Sequence, residues 1–129
     1  MISGSLEQPK RELIIRAPYL ELIANGTKTV EVRVGYRKMR SIAAGQELTF
    51  VSGDRRVPTR VRRVTEYPSF DVMLDPEDPR SIGGDLGEDR GKLLAVIRGI
   101  YPPDKERLGV LAIEIEMEPG AVHGAAAEG

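Results

Sequence analysis

Three side chains able to bind an anion or move a proton lie close together in the segment Gly-Thr-Lys-Thr-Val-Glu-Val-Arg, residues 26–33. Lys28 and Arg33 are cations suited to an anionic or polar ligand, and Glu31 between them can orient both cations or accept a proton. The other interpretation is an ion pair between Glu31 and Arg33 on one face of a solvated strand, a contact that contributes about 0–1 kcal/mol. The spacing is compatible with either interpretation.

A helix and a strand must position these side chains. An apolar stretch with helical spacing ends at Ile23, and Gly26 follows it as the left-handed residue that terminates a helix. The next residues alternate, which is the pattern of a strand with one face in a core. Lys28 is expected in the turn before this strand. The two expected faces consist of Val30, Val32 and Val34 on the core side and of Thr29, Glu31 and Arg33 on the open side.

The signature G-x-K-x-x-E-x-R, formed by Gly26, Lys28, Glu31 and Arg33, resembles that of the ASCH family, small proteins similar in fold to the RNA-binding PUA domain. The resemblance continues in order along the chain. It covers a segment with a short helix, the entry to the next strand, a helix after the fourth strand and a closing strand, at residues 13–25, 45–48, 67–74 and 108–115. It implies an α+β fold, a PUA-like mixed β-barrel of about five to six strands with flanking short helices and a cleft lined by the signature residues.

Length and composition agree with a single domain. A chain of 129 residues can bury about two-thirds of the surface that it exposes when unfolded. The absence of cysteine excludes a thiolate nucleophile, a cysteine-based zinc site and a disulfide. Without a long apolar run or a secretory signal, the expected location is the cytoplasm, with no membrane partner. Neither a cofactor nor a metal is expected, and the sequence leaves the oligomeric state open, with a monomer favoured. The expected divisions are an N-terminal extension at 1–10, an ASCH domain at 11–117 and a flexible C-terminal tail at 118–129.

The net charge of −1 conceals two opposed halves. Residues 1–70 contain 13 Lys and Arg against 7 Asp and Glu, whereas residues 71–129 contain 6 against 13. One basic run, Arg37, Lys38 and Arg40, follows the signature, and Tyr36 beside it offers a plane for stacking a base. The folded protein is therefore expected to have one basic side.

A second basic run continues in a strand-like pattern. Its alternation places Arg60 and Arg62 in a stripe facing away from the core, and Pro58 indicates a strand end or a sheet edge. Such a stripe is either a track for the phosphates of a nucleic acid or an edge strand protected by charge against aggregation.

The segment 75–90 is rich in proline, glycine and acidic residues, which predicts a long loop, interpreted as a flexible flap beside the cleft. Its acids do not have the spacing of an EF-hand calcium site. Apolar residues at 93–97 predict a helix packed on the barrel, ending at Gly99. The Tyr101-Pro102 pair resembles one near the cleft of ASCH proteins, although Tyr101 could simply wedge the helix against the sheet. His123 falls in the tail, so catalysis by histidine is not expected.

The favoured function is binding of RNA, or of a nucleotide derived from it, in a basic cleft. The expected ligand-binding residues are Lys28, Glu31, Arg33, Tyr36, Arg37, Lys38, Arg60 and Arg62. The resemblance also offers an enzymatic alternative, a metal-independent ribonuclease or an N4-acetylcytidine-type amidohydrolase, with Lys28, Glu31 and Tyr101 as the catalytic residues. In the amidohydrolase branch a threonine nucleophile stands where this chain has Glu31, so the ester mechanism does not transfer. A carboxylate beside Lys28 also favours the charged amine, which suits binding better than proton abstraction. A protein-interaction module is a third class.

Overall fold

A five-stranded sheet forms the frame of the fold, and the computed structural model describes it within residues 10–118. The strands lie in the order β1-β3-β4-β5-β2. β1 runs parallel to β3, and every other neighbouring pair is antiparallel. The strands are β1 (Arg11–Ile14), β2 (Val30–Val34), β3 (Glu47–Ser52), β4 (Arg55–Tyr67) and β5 (Val110–Met117).

Four α-helices and three 3₁₀ segments connect the strands. The helices are α1 (Ala17–Ala24), α2 (Phe70–Met73), α3 (Pro79–Gly83) and α4 (Arg90–Ile100), and the 3₁₀ segments are Met39–Ser41, Gly84–Glu88 and Pro103–Leu108. Gly26 has a φ of 84°, so it adopts the left-handed conformation expected just beyond α1. The elements expected around the signature, a helix before it and a strand within it, are therefore confirmed.

The sheet curls into a half-barrel with an apolar core on each of its faces. The inner core includes Leu13, Phe50 and Ile113, together with the buried residues Leu20 and Ile23 of α1. The outer core joins the sheet to α2, α3 and α4 through residues such as Val32, Phe70 and Ile97. This is the α+β, PUA-like architecture that the resemblance implies. The side of β2 expected to be open is largely covered, since Glu31 is 6% exposed and the Arg33 side chain 18% exposed.

The proline in the arginine-rich strand does not mark a sheet edge. β4 is the central strand, and Pro58 pairs with Thr49 of β3. The Pro58 carbonyl accepts a hydrogen bond from the Glu118 N–H at 3.3 Å, just beyond the end of β5. Because the N–H and C=O of one residue in an antiparallel strand point the same way, the missing amide hydrogen affects only the last rung of the ladder.

The segment expected to be a flexible loop is instead folded into helical turns. Asp78 caps α3 by accepting from the Arg80 N–H at 3.0 Å, and Asp89 caps α4 by accepting from the Lys92 N–H at 3.1 Å. A Cβ on Gly87 would lie 2.3 Å from the Pro79 carbonyl oxygen, so the 3₁₀ segment needs glycine to pack this closely on α3. The prediction of a flap is wrong because cap residues and glycines resemble loop composition when they are not assigned to positions in short helices.

The limits of the domain stay a prediction. The proposed tail and His123 lie outside the described residues, apart from residue 118. Between residues 10 and 118 there is no helix with the length and hydrophobicity needed to span a bilayer.

Candidate functional site

A cavity of about 170 Å³ opens over the free edge of β2. One wall is formed by residues that lead from β1 into α1, and the opposite wall by α3 and α4. The floor contains Lys28, Glu31, Val32 and Arg33. The cavity is therefore placed where the two edge strands of the half-barrel come near each other, and the signature strand is one of those edges.

The signature side chains form a buried charged triad. Lys28 and Glu31 are only 4% and 6% exposed. The Lys28 Nζ lies 3.2 Å from Glu31 Oε1, and the Arg33 Nε donates to Glu31 Oε2 at 2.6 Å. The cluster has two cations and one anion, so it presents a net positive charge to the cavity.

Lys28 is fully engaged within the protein. Besides its contact with Glu31, Nζ donates to the carbonyl oxygens of Val30 and Ile82, each at 2.8 Å. These three acceptors match the three N–H groups of an ammonium ion. Burial lowers the pKa of Lys28 and the Glu31 carboxylate opposes that shift; since no neighbouring atom donates to Nζ, we assign the ammonium form. Lys28 thus fixes Glu31 and holds α3 against β2, with no N–H left for a ligand.

Glu31 is held in its ionised form. Burial raises the pKa of this carboxyl, but the charges of Lys28 and Arg33 outweigh the effect, so its pKa lies below its ordinary value. Each of its oxygens already accepts from one cation. Glu31 is therefore an ionised acceptor at the cavity floor.

Arg33 is the member of the triad that has N–H groups without a partner in the described chain. Its side chain is 18% exposed, and its Nη2 donates to the Ile14 carbonyl of β1 at 3.0 Å. A guanidinium has five N–H groups, and two of those of Arg33 have partners within the described chain. Arg33 thus links the two edge strands and keeps donors that face the cavity.

Sequence reasoning missed Arg16, which stands at the mouth of the cavity. Arg16 is exposed, immediately precedes α1, and has no ion-pair partner among residues 10–118. Exposed apolar side chains share the mouth with it. Ile14 on the edge strand is 82% exposed, and Ile100 at the end of α4 is 49% exposed. An isolated arginine between two apolar segments carries no sequence signal, because only the curl of the sheet brings it beside the signature.

Two tyrosines line the cavity. Tyr19 of α1 has its ring centroid 5.9 Å from the Lys28 Nζ. Tyr101 stacks on Phe70 with ring centroids 5.7 Å apart, so it is wedged against the outer core as well as exposed to the cavity. Burial raises the pKa of the Tyr101 hydroxyl, which therefore stays protonated near neutral pH.

The remaining expected ligand-binding residues do not line the cavity. Tyr36 packs at the border of the outer core, and Arg37 and Lys38 are exposed in the turn after β2. Neither Arg37 nor Lys38 has an ion-pair partner within the described residues. Arg60 and Arg62 lie on β4, away from the cavity, and a role for them in binding stays a prediction.

The arginines of β4 are paired with carboxylates. The stripe faces away from the core, as its alternation predicts, because Val57, Thr59 and Val61 between the arginines are buried. Its charge, however, is balanced at every position. The pairs are Arg55 with Glu21, Arg56 with Glu12, Arg60 with Glu118, Arg62 with Glu116 and Arg63 with Glu77.

A curled half-barrel with short helices on its outer face and a charged cavity at one sheet edge defines an α+β protein of PUA-like type. The family model of the ASCH domain matches residues 13–119, and the chain belongs to that family. No protein of curated function matches it. Within residues 10–118 there is no group of three or more His, Cys, Asp and Glu side chains arranged to hold a metal ion.

Solved structures share this fold. The crystal structure of the hypothetical protein PH0355 is 31% identical, with a TM-score of 0.78 over 85% of this chain and 100% of that one. The solution structure of protein PF0455 from Pyrococcus furiosus is 30% identical, with a TM-score of 0.71 over 86% and 99%. Protein EF3133 from Enterococcus faecalis V583 is 14% identical, with a TM-score of 0.53 over 87% and 81%, and shares the fold alone.

Proposed function

We propose that the protein binds RNA, or a nucleotide derived from it, and that the cavity beside β2 holds one unpaired nucleotide. The observation that carries the proposal is the combination of ring-sized volume, apolar walls and a net positive floor in one cavity. An apolar cavity of about 150 Å³ holds one benzene ring, and this cavity measures about 170 Å³. It therefore accommodates one heterocyclic ring, which favours single-stranded RNA or a free nucleotide over a double helix.

Exposed cations, one lining the cavity and two in the turn after β2, support a partner that contains phosphate. Arg16 stands at the mouth, and Arg37 and Lys38 follow the signature strand. The balanced arginines of β4 contribute little positive potential by comparison. With about three phosphates neutralised, the logarithm of the binding constant should fall with the logarithm of salt concentration with a slope of about −2.

The chemistry of the floor favours binding over catalysis. A general base works best when its pKa lies near the operating pH. The pKa of Glu31 is lowered, the amine of Lys28 donates to three acceptors, and the pKa of Tyr101 is raised, so none of the three is poised as a base near neutral pH. The enzymatic alternative with these residues is tested by incubating the protein with labelled RNA in EDTA and, separately, with N4-acetylcytidine.

The binding proposal is tested by fluorescence anisotropy with labelled single-stranded RNA at low salt. Arg33→Ala removes the donors that face the cavity, and it leaves Glu31 paired with Lys28. Hydrogen bonds to charged groups contribute about 1.5–3 kcal/mol, so the affinity should fall about 10- to 100-fold. Circular dichroism of the variant checks that the fold is retained.

Arg107→Ala is the matched control for this substitution. Arg107 is exposed, lies outside the cavity lining and has no ion-pair partner among residues 10–118. Its removal should change the affinity less than about twofold. An absence of binding by the folded protein would overturn the proposed function, and equal losses in the two variants would place RNA on a surface other than the cavity.

A further inference from the structure

The hydrogen-bonding phase of β2 determines which of its peptide groups face the cavity. The Thr29 carbonyl accepts from the Ile115 N–H at 2.9 Å, and the Gly35 N–H donates to the Gly109 carbonyl at 2.8 Å. Between these two bonds the register with β5 has no bulge. Since alternate residues of an antiparallel strand bond to the same neighbour, the peptide groups of the intervening valines point to the free edge.

Among those valines, Val32 has main-chain groups without a protein partner in the described part of the chain. The Val30 carbonyl accepts from the Lys28 Nζ, and the Val34 carbonyl accepts from the Tyr36 N–H at 2.8 Å. Val32 is 8% exposed and lines the cavity. More than about 90% of buried main-chain N–H and C=O groups are hydrogen-bonded, so the donor and acceptor of Val32 identify a place where a complementary edge of a ligand fits.

We propose that a nucleobase enters the cavity with its Watson–Crick edge leading. That edge pairs with the N–H and C=O of Val32, and the sugar and phosphate of the nucleotide lie at the mouth beside Arg16. This inference rests on the proposed function and adds the orientation of the ligand. Both main-chain groups of one extended residue point the same way. They therefore present a donor next to an acceptor, and the Watson–Crick edges of unpaired bases carry the complementary arrangement.

The opposite orientation, with the phosphate inside, would give the phosphate one cation with unpaired donors at the floor, Arg33, whose charge is already shared with the adjacent Glu31 carboxylate. The ionised Glu31 carboxylate would face the phosphate, and like charges in a poorly hydrated site repel strongly. Lys28 cannot compensate, since its three N–H groups are already bound. The mouth suits the sugar and phosphate better, because Arg16 lines the cavity and is exposed, as are the apolar side chains of Ile14 and Ile100.

Ligand fragments test the orientation directly. Isothermal titration calorimetry would compare uridine and guanosine with their 5′-monophosphates, with ribose 5-phosphate, and with N3-methyluridine and N1-methylguanosine. We expect the monophosphates to bind about two- to fivefold more tightly than the nucleosides, as for one exposed ion pair. Methylation of the base N–H should weaken binding about tenfold or more, because it removes a donor that the site needs. Ribose 5-phosphate should not shift the methyl resonances of Ile97 and Ile100 in the cavity.

Two pairs of variants assign the contacts. Val32→Pro removes the N–H from an edge strand, where proline is tolerated, and Val32→Ala shortens the same side chain while keeping the N–H. Binding of the nucleosides should be lost in the first and retained in the second. Arg16→Ala should reduce the affinity for the monophosphates to that for the nucleosides, whereas Arg107→Ala should not change either affinity.

The results separate failure of the orientation from failure of the function. If ribose 5-phosphate binds as tightly as the nucleotides, or if base methylation and Val32→Pro in a folded protein leave affinity unchanged, the base-first orientation is wrong and nucleotide binding stands. If neither nucleotides nor single-stranded RNA bind, the proposed function is wrong, and the inference with it.

Discussion

Two buried glutamates of this protein have similar partners, but only one of them lines the cavity. Glu31 at the cavity floor contacts Lys28 and Arg33. Glu77, in the connection between α2 and α3, accepts two hydrogen bonds from the Arg63 guanidinium at 2.8 and 2.9 Å and one from the Tyr67 hydroxyl at 2.6 Å. Both carboxyls have a pKa below the ordinary value, Glu77 chiefly because of its hydrogen bonds from Arg63.

The difference lies in what remains after the internal contacts are made. At Glu77 one carboxylate meets one guanidinium, which also contacts Glu114, and this network does not line the cavity. At Glu31 two cations share one carboxylate, and Arg33 keeps free donors beside a cavity. A cluster whose charges are all paired internally stabilises a connection in the fold. A cluster with excess charge beside a cavity is suited to binding a ligand. The two sites therefore have different roles, although their residue types look alike in the sequence.

The largest effect on stability is expected at the cavity, from Lys28→Met. The substitution leaves Glu31 buried with Arg33 alone and removes the hydrogen bonds to the Val30 and Ile82 carbonyls. Breaking a buried ion pair by removing one partner reduces the free energy of unfolding by about 3–5 kcal/mol. Urea denaturation at neutral pH measures this loss. A loss below about 1 kcal/mol would contradict the assignment of Lys28 as the clamp between β2 and α3.

A smaller loss is expected at the closed network, from Glu77→Gln. The amide keeps the shape of the carboxylate, while Arg63, which reaches solvent, retains its contact with Glu114 at 2.6 Å. Hydrogen bonds to charged groups contribute about 1.5–3 kcal/mol, and the reduction in the free energy of unfolding should fall within that range. The same variant should bind RNA as the natural protein does. A matching loss of RNA affinity would mean that the two clusters are not functionally separate.

Acid denaturation tests the ionisation of the same two carboxyls. The pKa values of both carboxyls in the folded state lie below the value of about 4.3 in the unfolded chain. The stability that they contribute is therefore present above that pH, and it is lost as the pH falls through the folded-state values. Glu77→Gln removes one such group, so its free energy of unfolding, measured by urea denaturation, should decline less steeply than that of the natural protein between pH 5 and pH 3, by up to about 1.4 kcal/mol per pH unit. Parallel curves would show that Glu77 does not titrate differently in the two states.

The elements around the signature were predictable from sequence because local patterns determine them. The turn at Gly26 and the strand of Val30–Val34 follow from a left-handed glycine and from alternation. The burial of Glu31 was not predictable, since alternation gives two faces without saying that the sheet curls and packs on both. Sequence patterns could not identify Arg16 for the same reason, because its place beside the cavity depends on contacts between β1 and distant strands.

The smallest effects are expected on β4, where Arg62→Ala tests the arginine stripe. Arg62 is exposed and lies 3.4 Å from Glu116 and 4.0 Å from Glu114, so its charge is already balanced by carboxylates on β5. Exposed ion pairs contribute about 0–1 kcal/mol, and the free energy of unfolding should change by less than about 0.5 kcal/mol. RNA affinity should likewise change less than about twofold, whereas Arg16→Ala should weaken it measurably. If Arg62→Ala weakens RNA binding as much as Arg16→Ala does, the phosphates follow the stripe, and balanced arginines must be counted with the free ones in defining the interface.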